Sequence, residues 1–144
     1  MKTIEVTRRI KAPLEQVFRS VADIREFSNI IPHITNVEFL TKQQYGVGTR
    51  FAETRWMKGK EARTELEVTE LSENERIRIV ADSHGTIWDT LFTTRPDGDD
   101  VVLTLVMDAN AGGLLGDLKN KLIRGMIVKA IESDMDCVRK HCEE

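Results

Sequence analysis

The chain has 144 residues, of which 40% are hydrophobic and 31% are charged, an ordinary composition for a single globular domain. Its formal net charge of −3 argues against nucleic acid as a partner, because no basic excess is present to neutralise phosphates. No apolar run approaches the roughly 18 residues that a membrane-spanning helix needs, so we expect no stable insertion into a membrane.

The first part of the chain predicts one strand followed by two short helices. Apolar and polar residues alternate over 3–10, which predicts a strand with one buried face, and Arg8 falls on its apolar side. Pro13 suits the first position of a helix, and the apolar spacing over 14–21 predicts a short amphipathic one. Residues 23–29 predict a second short helix, which begins with an aspartate that suits the N-cap.

Six further strands follow, separated by short turns that are polar or contain glycine. We predict five of them over Ile34–Lys42, Thr49–Met57, Glu61–Leu71, Arg76–Ser83 and Thr86–Arg95, and a last one whose inward side chains are Val101, Leu103, Leu105 and Met107. Strands joined by short turns pair in antiparallel fashion, and a sheet of seven such strands curls.

The C-terminal part of the chain predicts one long helix. Over 114–142, apolar residues recur at spacings of three and four for about seven turns. The apolar arc is wider than that of an ordinary surface helix, so we expect the helix, from about Leu114 to His141, to cover the concave face of the sheet. Ala130, Ser133 and Cys137 lie near the middle of the arc, where small side chains leave room for close backbone packing or for a cavity.

These elements predict an α+β fold in a single domain, 1–144: a seven-stranded curved antiparallel sheet that grips the C-terminal helix. The order of elements and several local strings resemble the START-like or SRPBCC superfamily, which has the helix-grip, birch-pollen-allergen-like fold. Within it, the chain is most similar to the polyketide cyclase/dehydrase and lipid-transport branch. The strings are Ile10-Lys11-Ala12-Pro13 with Val17-Phe18 and Asp23, Gly46-Val47-Gly48-Thr49-Arg50-Phe51, Glu53-Thr54-Arg55, Gly59-Lys60-Glu61-Ala62 and Glu67-Val68-Thr69-Glu70-Leu71.

The resemblance covers nearly the whole chain. It implies a cavity between the sheet and the long helix, of the kind that commonly binds a hydrophobic or aromatic small molecule. It does not select one activity, because the superfamily contains carriers, cyclases, hydrolases and cochaperone domains.

The pair Glu53 and Arg55 is the first candidate for chemistry. The two residues lie on one face of a predicted strand together with Phe51 and Met57, and the alternation does not decide which face is inward. If this face is inward, a polar pair lies in an apolar pocket and can support proton transfer. If it is outward, the two residues are surface charges that pair across strands.

Arg8 is a second candidate, because a guanidinium suits a ligand carboxylate or hydroxyl, although its side chain can also extend past the end of the sheet to solvent. An apolar lining with few polar groups is typical of a ligand site and of a plain core alike. The residues predicted to bind the ligand are Arg8, Phe51, Leu66, Trp88, Thr90, Phe92, Leu103, Leu105, Met107, Leu122, Met126 and Ala130.

No metal and no cofactor are expected. Cys137 and His141 lie on one face of the helix near Asp134, but zinc needs three or four ligands and the other histidines fall in predicted loops. Cys137 and Cys142 are too far apart along the helix for a disulfide, which fits a cytoplasmic, reducing location. The glycines of 46–48 lack the spacing and context of a dinucleotide motif.

Three functions follow as hypotheses. The first is binding, with transport or presentation, of a lipid or of an aromatic or polyketide-like molecule in a closed apolar cavity. The second is a cyclase or dehydratase that uses Glu53 with Arg55 or Arg8. The third is a cochaperone-like interaction domain, which needs an exposed apolar patch; Val128, Met135 and Leu114 are the candidates on the outer helix face. We expect a monomer or a weak homodimer, the latter formed through Val128 and Met135.

Overall fold

The structure is a computed structural model that describes residues 3–57, 59–83, 85–111 and 121–144. The predicted order of strand, two short helices, six strands and long helix is confirmed. The elements are β1 (Thr3–Ile10), α1 (Leu14–Ala22), α2 (Ile24–Ile30), β2 (Ile34–Phe39), β3 (Arg50–Met57), β4 (Lys60–Ser72), β5 (Arg76–Ser83), β6 (Thr86–Asp97), β7 (Asp100–Ala111) and α3 (Lys121–Glu143).

The seven strands form one antiparallel sheet in the order β1-β7-β6-β5-β4-β3-β2, so β1 and β2 are its two edges. The predicted α+β fold with a seven-stranded antiparallel sheet is therefore confirmed. A register shift in β4, between Val68 and Glu70, marks a bulge, which adds to the right-handed twist of a sheet. The tight turn between β6 and β7 contains Gly98 at φ 62°, a left-handed conformation that glycine adopts without strain.

The two short helices cover one end of the concave face. The Asp23 carboxylate accepts a hydrogen bond from the backbone N–H of Arg25 at 3.0 Å, as predicted for an N-cap. Helix α1 packs against β5, β6, β7 and α3. In α2, the ring of Phe27 meets the ring of Phe92 edge to face, with centroids 6.1 Å apart. This end of the sheet is thus covered by α1 and α2 as well as by α3.

Helix α3 runs alongside β1 in the same direction, and three hydrogen bonds join it to β1 and to Lys11 just after that strand. From one end to the other, Arg124 Nη2 donates to the Thr3 carbonyl at 3.0 Å, Arg8 Nε donates to Asp136 at 2.7 Å, and the Lys11 N–H donates to Glu143 at 2.9 Å. The long helix is confirmed over Lys121–Glu143. Its predicted first turns, with Leu114, Leu115 and Leu118, lie outside the described residues.

The buried face of α3 differs from the predicted one. Ile131, Met135, Val138 and Cys142 are its buried residues, and Met135 is only 1% exposed. The prediction that Met135 lies on the outer face is therefore wrong, and Val128, its predicted neighbour there, is half-buried against the core. Large apolar side chains occupy the deepest positions because they remove more apolar surface from water, while Ser133 is exposed. Met135 therefore cannot be part of the exposed patch predicted for dimerisation or cochaperone-like binding.

Candidate functional site

On the concave face, the inward side chains of β6 and β7 are tightly packed near α1 and α2 and more loosely packed further along, although Ile4, Thr86 and Ala109 at the far end are buried. Along β7, the inward side chains Leu103 and Leu105 are 0% and 4% exposed. Met107 follows two residues later on the same face and is only half-buried. Leu103, which has no accessible surface, belongs to the packed core.

The same gradient appears on β6, the next strand of the sheet. Phe92, which faces α2, is buried, whereas Thr90 and Trp88, two and four residues earlier on the same face, are half-buried. Leu66 on β4 is also half-buried. It lies opposite Ala81 of β5, and Ala81 lies opposite Trp88 of β6. Two strand spacings separate Leu66 from Trp88, or roughly 9–10 Å. These side chains border an incompletely filled region of the concave face.

Helix α3 shows the matching pattern. Among the described residues of α3, none before Ile131 is buried, and all four buried residues lie between Ile131 and Cys142. The C-terminal half of the helix is therefore seated in the core, while the described part of its N-terminal half lies less deeply over the sheet. Arg124, near the start of the described part of α3, bonds to Thr3, whose neighbour Ile4 is in register with the half-buried Met107.

A charged cluster of three residues lies between β3 and α3. Arg55 Nε donates to Glu53 Oε1 at 2.6 Å, and Arg55 Nη1 donates to Asp134 Oδ2 at 2.9 Å. The side chains are 22% exposed for Arg55 and 14% exposed for each carboxylate. Glu53 and Arg55 therefore face inward, toward the long helix, which settles the question that the alternation left open.

Asp134 is the site residue that the sequence did not predict. The sequence pattern presents it only as a neighbour of Cys137 in an incomplete metal site. No local sequence pattern indicates that Asp134 pairs with Arg55, because the two residues are 79 positions apart in the chain. A carboxylate within the apolar arc of a buried helix is nevertheless a recognisable anomaly, since such a group needs a partner when it is buried.

The cluster combines one cation with two carboxylates in a partly buried position. Burial is the largest cause that raises the pKa of Asp134 above its usual value, and Glu53 adds to it, while Arg55 and His33 act in the opposite direction. Burial lowers the pKa of Arg55, but the two carboxylates outweigh it and hold that pKa above the usual value. The site thus contains a permanent cation and a carboxyl group that retains its proton to a higher pH than an ordinary aspartate.

The cluster adjoins the loosely packed apolar region. Glu53 lies in register with Thr64 on β4, and two residues further along these strands Phe51 lies in register with Leu66. A step of two residues along a strand is about 6.6–6.8 Å, so the carboxylate and the apolar pair are neighbours on one face. The arrangement provides polar groups at one side of an apolar surface, as in many small-molecule sites.

Arg8 is placed on the opposite side of the helix from this cluster. It faces α3, as its position on the apolar side of β1 predicts, but it donates to Asp136 and to the Thr7 carbonyl, the latter at 2.9 Å. The hydrogen bond to Asp136 is the largest cause that raises the pKa of Arg8. Because Asp134 and Asp136 are about 200° apart around the helix axis, α3 is held on one side by the edge strand β1 and on the other by β3, and the structure does not bring Arg8 to Glu53.

The other predicted ligand-binding residues divide into three groups. Phe51, Phe92, Leu103 and Leu105 are buried, Leu66, Trp88, Thr90, Met107 and Ala130 are half-buried, and Leu122 and Met126 are exposed. Leu122 is 76% exposed and is the second described residue of α3. Ala130 lies one turn before Asp134 and hence on the same side of the helix. The binding roles of these residues remain predictions.

A hollow of about 320 Å³ lies between α2 and β2. Its lining residues do not include Glu53, Arg55 or Asp134, but two of them, Ile34 and Val37, lie in register with Arg55 and Glu53, so the hollow adjoins the β2 side of the cluster. No three His, Cys, Asp or Glu side chains of the described part of the chain come together as a metal site. No helix within the described ranges has the length and apolar character to cross a membrane. Near the end of α3, His141 Nε2 lies 3.8 Å from Glu26 Oε1.

Comparison with solved structures identifies proteins of the same fold. They include the Zhui aromatase/cyclase from Streptomyces sp. R1128, which is 18% identical, has a TM-score of 0.80 and matches 98% of this chain and 93% of that one. A START superfamily protein from Mycobacterium smegmatis is 15% identical, with a TM-score of 0.74 over 96% of this chain and 97% of that one. A protein from Thermus thermophilus is 20% identical, with a TM-score of 0.78 over 96% of this chain and 94% of that one.

At these identities the structural likeness shows the fold alone. No curated protein sequence matches the chain. The family model described as polyketide cyclase / dehydrase and lipid transport, however, matches residues 1–143. Since that match spans almost the full length, the chain belongs to the polyketide cyclase/dehydrase and lipid-transport family.

Proposed function

We propose that the chain binds a hydrophobic or aromatic small molecule between the loosely packed end of the sheet and the N-terminal half of α3. The observation that carries the proposal is the change in packing along the concave face. Inward side chains of β6 and β7 go from buried at Leu105 and Phe92 to half-buried at Met107, Thr90 and Trp88, before the smaller Thr86 and Ala109, which are buried. An apolar side chain that stays accessible on the inner face of a sheet gains from covering by an apolar ligand.

The polar cluster supports this proposal because it supplies orientation. Arg55 and its two carboxylates adjoin the apolar surface at the Phe51–Leu66 pair, so a ligand with one polar group can bury its apolar part and bond its polar part. The cluster also joins β3 to α3, but apolar residues in a plain core would avoid the free energy that burying charges costs. We extend the proposal to the uptake or presentation of the ligand, and we keep a cytoplasmic monomer or weak dimer as its setting.

Binding is tested with the neutral fluorescent probe N-phenyl-1-naphthylamine and by native mass spectrometry of the purified protein. We expect saturable fluorescence enhancement with about one probe per chain, because water is excluded from a single site. The mass spectrum is expected to show a co-purified small molecule in part of the sample. A protein that neither enhances the probe nor carries any small molecule would contradict the proposal.

A second candidate function is cyclisation with loss of water, and the sharing of Arg55 by two carboxylates favours it. In such a reaction a base removes a proton from carbon beside a carbonyl, and the enolate attacks a second carbonyl carbon. The new alkoxide takes up a proton, and its hydroxyl then leaves as water with a second carbon-bound proton. Glu53 is suited to the base, protonated Asp134 to the acid, and Arg55 to orienting the carbonyl oxygen.

The enzyme hypothesis is tested with heptane-2,6-dione, which closes to 3-methylcyclohex-2-enone and water. We expect the protein to raise the rate of enone formation at least tenfold over buffer, and we expect Glu53→Gln and Asp134→Asn to remove that increase. A rate equal to that of heat-denatured protein would refute catalysis of this reaction, and undiminished rates in the two variants would refute the assigned roles. Neither result affects the binding proposal, which has its own readout.

A further inference from the structure

We infer that the site selects ligands whose polar group donates hydrogen bonds, an amine or a hydroxyl, and rejects ligands that carry a carboxylate. This inference rests on the proposed binding function and names the class of ligand for the same site. Its basis is the balance of charges around Arg55: one guanidinium faces two carboxylates, at 2.6 Å from Glu53 and 2.9 Å from Asp134.

The cation of the cluster is already used by the protein. Arg55 directs Nε to Glu53 and Nη1 to Asp134, so the donors on two of its three nitrogens are engaged. A ligand carboxylate that approached Arg55 would be the third anion around a single cation, in a place where each protein carboxylate is only 14% exposed. Like charges in such a poorly solvated place repel strongly, and the incoming carboxylate would also lose its hydration.

The acceptors of the cluster, in contrast, have capacity to spare. One oxygen of Glu53 and one oxygen of Asp134 accept from Arg55, and an ionised carboxylate has about four acceptor positions on its two oxygens. A hydroxyl or an ammonium group can donate to these positions. If Asp134 carries a proton, the cluster is neutral overall and still offers the oxygens of Glu53. In both states a donor is accommodated, whereas a further negative group is not.

Other charged groups in the described part of the chain do not reverse this balance. Arg8 is bonded to Asp136 on the far side of α3, and Arg124 is bonded to the Thr3 carbonyl. His33, in the turn before β2, favours the ionised form of Asp134 and so adds some positive character. Its side chain is exposed, so solvent screens its charge. Thr64, in register with Glu53, offers a hydroxyl without charge.

The test uses three ligands with one apolar chain and different polar groups: decylamine, decan-1-ol and decanoate. Each is titrated at neutral pH and below its micelle concentration against protein loaded with N-phenyl-1-naphthylamine. Because the three alkyl chains are of equal length, differences in how well the ligands displace the probe report the contribution of the polar group. We expect the amine and the alcohol to displace the probe at concentrations at least tenfold lower than decanoate does.

The results separate this inference from the function on which it rests. If the probe does not bind and none of the three ligands binds, the proposed function fails. If the probe binds and decanoate displaces it as well as the other two, the proposed function stands and the selectivity is wrong.

A matched pair of variants assigns the selectivity to Glu53. Glu53→Gln keeps the shape but removes one negative charge, which leaves Asp134 as the single anion on Arg55. We expect decanoate to bind at least tenfold more tightly and decylamine less tightly, with the thermal midpoint retained. Glu65→Gln, on the outer face of β4 and 49% exposed, is the control and should leave the three affinities unchanged. An unchanged ratio of decanoate to decylamine affinity in Glu53→Gln would overturn the inference.

Discussion

Replacing Arg55 by leucine is expected to lower the free energy of unfolding by about 3 kcal/mol at neutral pH. Removing one partner from a buried ion pair leaves an uncompensated charge, and such changes cost about 3–5 kcal/mol. Here two carboxylates, Glu53 and Asp134, lose their common cation. We expect the lower end of the range because the cluster retains some exposure. The thermal midpoint should fall by roughly 6–12 °C, at about 2–4 °C per kcal/mol for a chain of this size.

The loss of stability in Arg55→Leu should be larger at neutral pH than at acidic pH. In the parent protein the pKa of Asp134 is raised above its usual 3.8, so the contribution of this group to stability is full below that value and is lost as pH rises through the folded-state pKa. Arg55 is the main cause that opposes this rise. Without it, burial and Glu53 act together, the pKa of Asp134 rises further, and the loss at neutral pH grows. The difference in stability between Arg55→Leu and the parent should therefore shrink as the pH is lowered toward 4.

Two controls separate this effect from a general loss of packing. Arg8→Leu removes the other arginine that holds α3, but Asp136 is 48% exposed, so we expect a cost of only about 0–1 kcal/mol and little pH dependence. Adding Glu53→Gln and Asp134→Asn to Arg55→Leu removes the stranded charges and should recover most of the stability. Equal losses in the two arginine variants, measured by chemical denaturation, would show that the Arg55 cluster is not a special site.

The sheet could be predicted because its strands alternate clearly and its turns are short. On β5, for example, Ile77, Ile79 and Ala81 are all buried and the residues between them are not, so the pattern reads directly as one inward face. Strand β3 could not be read in this way. Phe51 and Ala52 are both buried at its start, while Trp56 and Met57 are both exposed at its end, so its apolar residues do not alternate.

The helix and the charged cluster show a different limit. Helical periodicity identifies α3, but taking the small residues Ala130, Ser133 and Cys137 as the centre of the arc puts Met135 on the outer face. The buried face is instead formed by Ile131, Met135, Val138 and Cys142, which also recur at spacings of four and three. Asp134 and Arg55 are brought together by the curl of the sheet around the helix, and a local pattern contains no information on such a contact. Glu53 and Arg55 could be named as candidates because they are two charges on one face of a strand together with the apolar Phe51 and Met57.

Replacing Ala130 by phenylalanine is expected to abolish probe binding without unfolding the protein. Ala130 is half-buried in the part of α3 that has no buried residue among those described, one turn before Asp134. If this side of the helix borders unfilled space, a phenyl ring adds dispersion contacts there. The thermal midpoint should then hold or rise. Binding of N-phenyl-1-naphthylamine should weaken at least tenfold, because the ring occupies the volume that the probe needs.

Val138→Phe is the matched control on the packed side of the same helix. Val138 has no accessible surface, so a larger side chain must displace its neighbours, and overpacking of this kind costs about 1–3 kcal/mol. We expect Val138→Phe to lower the thermal midpoint while any protein that remains folded still binds the probe. A phenylalanine is thus expected to have opposite effects at the two positions of this helix. At position 130 it should remove probe binding and keep stability, and at position 138 it should lower stability and keep probe binding. If Ala130→Phe lost as much stability as Val138→Phe, and if the parent protein did not bind the probe, the concave face would be filled by the protein itself and ligand binding between sheet and helix would be refuted.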